Sequence, residues 1–115
     1  MQALAPSEVL KKKADLKLEK ALQIPNFMIE IFNAEIAKNF NESSKDSVVE
    51  QDAIAMLARA HIAKNKDHLG DVDPYQKGWL DVEPIFEHAG WDVVYRKQPY
   101  YETASSFFIF TKKEN

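Results

Sequence analysis

Between residues 79 and 112 the apolar pattern changes period, and a helix that stops hard and turns into strands accommodates the change. Val82, Ile85, Phe86 and Ala89 recur at i, i+3, i+4 and i+7, one face of a helix. Asp81 is placed to accept from the free N–H groups of the first turn as an N-cap. Pro84 falls within that turn, where its missing N–H removes no helical bond. Gly90 supplies the left-handed stop. From Trp91 the period is two: Trp91, Val93 and Tyr95 share one face, and Asp92, Val94 and Arg96 the other. The run Phe107 to Phe110 is apolar throughout, which predicts a second strand and is compatible with cover on both its faces. The connection between the strands is longer than a two-residue hairpin turn and carries Tyr100 and Tyr101.

Three helices are expected upstream. Ser7 can cap the first, running to about Gln23, with a ragged apolar stripe of Val9, Leu10, Leu16, Leu18 and Leu22. Lys11, Lys12, Lys13 and Lys17 crowd the same stretch, so residues 1–23 read as an arm or surface helix with a solvated basic face. Asn26 caps the second helix, over 27–39, whose stripe is Phe27, Met28, Ile31, Phe32 and Ile36, with Phe40 beyond its end. Phe40 to Asp46 reads as a polar turn, and Ser47-Val48-Val49-Glu50 matches a capping box that opens the third helix, ending near Lys64. Ile54, Leu57 and Ala58, broadened by Ala53, Met56 and Ala60, mark it as the most central helix. The expectation is an α+β fold: one domain over residues 1–115, about four helices, and a C-terminal two-stranded hairpin, in the manner of a winged helix.

Composition excludes more than it selects. The 115 residues hold no cysteine, which removes disulfides, thiolate catalysis and cysteine-ligated zinc. No apolar run reaches transmembrane length and no h-region opens the chain, so no membrane is expected and a cytoplasmic location is the default. A net charge of −3 does not favour nucleic acid as the partner.

Few constellations could carry chemistry. Asp67, His68, Asp71 and Asp73 lie within seven residues, a set suited to a hard cation, but the spacing matches no calcium loop and a solvated turn is the plainer reading. His61 and His88 have no nucleophile at a signalling distance and read as structural. Glu83 and Glu87 stand one turn apart beside Asp81, the pattern of an acidic face. No glycine-rich phosphate loop is present, and no cofactor or catalytic residue is implied.

One resemblance extends over about residues 24–112. It rests on Trp79, Asp81-Val82-Glu83, Ile85-Phe86, Gly90-Trp91, Val93, Tyr95, Pro99-Tyr100, Glu102, Phe108 and Phe110. Upstream it rests on Ile24-Pro25-Asn26-Phe27, Phe32-Asn33 and Ile36-Ala37-Lys38-Asn39. Together they resemble small accessory proteins of tailed bacteriophages. The resemblance implies a protein made in the bacterial host cytoplasm, with no enzymatic activity to carry over.

The expected function is a non-enzymatic module that binds a host or phage protein, with homo-oligomers allowed. Tyr100, Tyr101 and Glu102 in the hairpin loop, together with Asp81, Glu83 and Glu87, are the candidate contact residues. The alternative is a winged-helix-like nucleic-acid binder that uses Lys11, Lys12, Lys13 and Lys17 with the hairpin loop as its wing, although Asp81, Glu83 and Glu87 on its recognition helix would repel phosphates.

Overall fold

In chain order the elements are α1 Pro6–Ala21, α2 Asn26–Asn39, β1 Phe40–Asn41, β2 Asp46–Glu50, α3 Gln51–Lys64, α4 Lys66–Leu69, α5 Glu83–His88, β3 Trp91–Arg96 and β4 Phe107–Lys112. A computed structural model provides this description, and it covers residues 3, 5–98 and 106–113. The fold is α+β, one small domain built around one apolar core.

The C-terminal hairpin is not a sheet of two. Among the described residues it forms half of a four-stranded antiparallel sheet in the order β1-β2-β4-β3. Sequence reasoning missed two strands, the two-residue β1 at the start of the expected polar turn and the longer β2. Ser47 to Glu50 has the spacing of a capping box, yet it pairs with β4, Val48 opposite Ile109 and Val49 opposite Phe108. The alternation explains the outcome: Ser47 and Val49 are fully buried while Val48 and Glu50 are exposed, a half-buried strand of period two. The Ser47 hydroxyl, expected to serve an N-cap, instead donates to the carbonyl of Ile36 at 2.8 Å. A ladder of five paired residues outweighs one local side-chain motif. The polar turn before it joins β1 to β2. The N–H groups of Ser43 and Ser44 donate to Asn41 Oδ1, and Lys45 takes a φ of 58°.

The core lies between the sheet and α2. Met28 and Phe32 are fully buried and Ile36 nearly so, a stripe at i, i+4 and i+8. The Phe32 ring meets Phe108 edge-on at 5.4 Å and also packs against Phe86 and Phe110. The central helix is therefore α2, not α3. The buried face of α3 is Ile54, Ala55, Ala58 and Ile62, while Met56 and Leu57 are exposed. The apolar residues of α3 surround more of its circumference than the core can cover.

Helix ends also differ from expectation. The N-caps are Ala5 for α1, Pro25 for α2 and Val82 for α5, none with a side-chain cap bond. Ser7 and Asn26 lie inside their helices, and Asp81 stands one residue too early. Proline in the first turn starts α1 and α5 instead, since its fixed φ suits that position. Gly90 ends the α5 segment at φ +110°, as the period switch requires. Of α1, Ala21 alone is buried, and Val9, Leu10 and Leu16 are exposed, so this helix lies beside α5 with little of its surface buried.

Candidate functional site

The segment 74–81 brings α5 against α1 through a series of tight turns. The Trp79 N–H donates to the Pro74 carbonyl at 3.0 Å, and the Asp81 N–H to the Gly78 carbonyl at 3.2 Å, with Gly78 at φ +71°. Trp79 is half-buried and set edge-on to Phe27, whose other neighbour is His61, stacked at 4.2 Å and 20°. His61 thus packs flat on an aromatic ring, a structural position.

Between α1, this segment and α5 lies a cleft of about 580 Å³. Ala21, Ile24, Trp79 and Pro84 provide its apolar surface. Asp81, Glu83 and Glu87 line it as well, and so do Lys17, Lys20 and Lys77. A second hollow of about 500 Å³ shares Lys17, Pro84 and Glu87 and continues along α1 past Lys13 to Leu10, with His88 in its wall. Burial pushes the Glu83 carboxyl above the usual carboxylate range, and the nearby charges of Asp81 and Glu87 push the same way, while a backbone hydrogen bond opposes them. A carboxylate held partly out of water and beside two others gains most from an arriving cation.

The acidic residues singled out in the sequence therefore line one cleft, Glu83 half-buried and Asp81 and Glu87 exposed along its wall. Tyr100, Tyr101 and Glu102 lie outside the described residues. Lys11, Lys12 and Lys13 are exposed on α1, whereas Lys17 lines the cleft together with the carboxylates. The acidic stretch 67–73 is drawn apart: Asp71 pairs with Lys66 at 3.0 Å, and Asp73 lies 3.9 Å from Arg59, which also sits over the Tyr75 ring. Among the described residues no three His, Asp or Glu side chains gather as a metal would require.

Comparison with protein families, curated proteins and solved structures finds no match. What bears on function is then the chemistry of the cleft. Sequence reasoning missed Trp79 and Lys20 as members. A signal for Lys20 existed, because Lys17, Lys20, Ala21 and Ile24 are spaced as one helix face. Trp79 has no such signal, since the turns that aim it arise from contacts between distant segments. The cleft sets three carboxylates and three lysines beside apolar surface, the mixture of acceptors, donors and hydrophobic lining that binding sites use. Among the described residues, no helix is long and apolar enough to cross a membrane.

Proposed function

We propose that the chain is a non-enzymatic binding module that engages another protein through the cleft between α1 and α5. The observation that carries this reading is the convergence of Asp81, Glu83 and Glu87 beside Trp79 and Pro84 in one concave surface. A basic side chain with an apolar stem fits it: the stem lies along the indole and proline while the cation meets Glu83. The resemblance to accessory proteins of tailed bacteriophages makes the partner a host or phage protein in the bacterial cytoplasm. The test is a pull-down from bacterial lysate with the immobilised chain, set beside the variants Asp81→Lys and Glu87→Lys. Both positions are exposed, so the variants should melt as the wild type does. A partner held by the wild type and released by both variants supports the reading. Equal retention by all three refutes it.

A second reading is favoured by the chain path. Omitting α1, β1 and the one-turn α4, the order is helix, strand, helix, helix, strand, strand, with the last strand between the other two. That order supports a winged-helix reading, in which α5 would be the recognition helix. Nucleic acid would then be held by Lys11, Lys12, Lys13 and Lys17 of α1, while Asp81, Glu83 and Glu87 would oppose it. Sub-micromolar binding of duplex DNA at physiological salt, lost when Lys11, Lys12 and Lys13 become alanine, would put this reading first.

A further inference from the structure

β3 is an edge strand: among the described residues no strand lies beyond it. Its backbone has a definite polarity. The Lys113 N–H donates to the Gly90 carbonyl at 3.2 Å, so Gly90 and Lys113 form a hydrogen-bonded pair of the β3·β4 ladder. Alternation then makes Asp92, Val94 and Arg96 the residues whose backbone groups bond β4. On the other side of β4, the Lys112 N–H donates to Lys45 and the Ser106 carbonyl accepts from Gln51, the complementary parity. Trp91, Val93 and Tyr95 consequently direct their N–H and C=O groups at the open edge, a template for another strand.

The outer face of the sheet carries a second feature. Val48, Ile109 and Val94 stand in one row across β2, β4 and β3. Val94 is 46% exposed and Val48 45%, so no described element covers them. Asp92 and Arg96 flank Val94 on the same face, both exposed, with opposite charge and equal spacing about it.

We propose that β3 pairs antiparallel with the β3 of a second copy of this chain, about a two-fold axis at Val94. Val94 then lies opposite the partner's Val94, and Asp92 opposite the partner's Arg96, twice over by symmetry. Val93 and the partner's Tyr95 exchange the backbone bonds that the edge leaves open. The charged and valine positions fall in non-hydrogen-bonded pairs, where side chains approach closest, at a Cα separation of about 4.5 Å. The aliphatic row of three strands becomes a row across six. The charges also select the register: a slip of two residues either way sets Asp92 or Arg96 against valine and leaves both ions unpaired. An extended segment of another protein could take the backbone bonds but has no reason to match both charges about one centre.

Sedimentation velocity of the full chain over a rising concentration series tests this. The wild-type mass should move from 13.2 kDa toward twice that value. Asp92→Arg and Arg96→Asp should each weaken the dimer by roughly tenfold or more, because each places two pairs of like charges in contact. Joining both changes in one chain restores every pair with its sign reversed and should restore the dimer. In the wild type, the amides of Val93 and Tyr95 should gain protection from exchange as concentration rises. A wild type that stays at 13.2 kDa into the millimolar range overturns the proposal. So does a dimer indifferent to the single reversals, or one the double swap fails to recover.

Discussion

Phe32 touches Phe86, Phe108 and Phe110 at once, so α2, α5 and the sheet meet on a single ring. Phe32→Ala should destabilise the fold by about 3–5 kcal/mol in chemical denaturation, the range for a buried aromatic whose cavity cannot collapse. Trp91 should cost less. Sequence periodicity puts it on the inner face, and it does lie edge-on to Phe110 and Phe40, but the edge position of β3 leaves it half-buried. A Trp91→Ala loss as large as that of Phe32→Ala would contradict this ordering. Ser47→Ala should cost about 1–3 kcal/mol, because the Ile36 carbonyl loses its donor in a buried place. Glu83 gives a pH test. Its carboxyl is held above the usual range by burial, so the folded chain binds that proton more tightly than the unfolded chain. Stability from this group therefore falls as pH rises from the ordinary carboxylate range through the raised value. Glu83→Gln should melt close to the wild type in acid and above it near neutral pH; a gap independent of pH would remove the desolvation argument.

Among elements, α1 is the least integrated. Ala21 anchors it and Leu18 is half-buried, while the residues before Leu18 are exposed. Removing residues 1–17 should change the unfolding free energy by about 1 kcal/mol or less. Amide exchange along α1 in the full chain should be much faster than along α2. A truncated chain that no longer melts cooperatively would show α1 to be part of the core. The arm was legible in the sequence because its apolar residues never settle on one stripe. The boundary between α5 and β3 was legible too, since Gly90 and the change of period coincide. β2 was not legible. Ser47 and Glu50 satisfy the spacing of a capping box, and nothing local distinguishes that from two residues on opposite faces of a strand. The deciding partner, β4, begins 57 positions after β2 ends.

Over the whole molecule, one core cluster joins residues of α2, β2, α3, α5 and β4. Unfolding followed by far-ultraviolet circular dichroism and by tryptophan fluorescence should trace a single transition for the body of the domain. Two separated midpoints would divide it. The Cα radius of gyration of 16.3 Å exceeds the about 13 Å of a compact domain of this length. From the sequence alone follow the α+β class, the inner face of β3, the buried stripe of α2 and the acidity of α5. Each depends on periods of two or 3.6, which a chain carries locally. Tertiary structure alone decided that β2 is a strand and lies beside β4, that α2 rather than α3 is central, and that three carboxylates share a cleft with Trp79. Those outcomes depend on which distant segments meet, because a strand needs a partner for its backbone groups and a cleft needs two walls, and local pattern specifies neither.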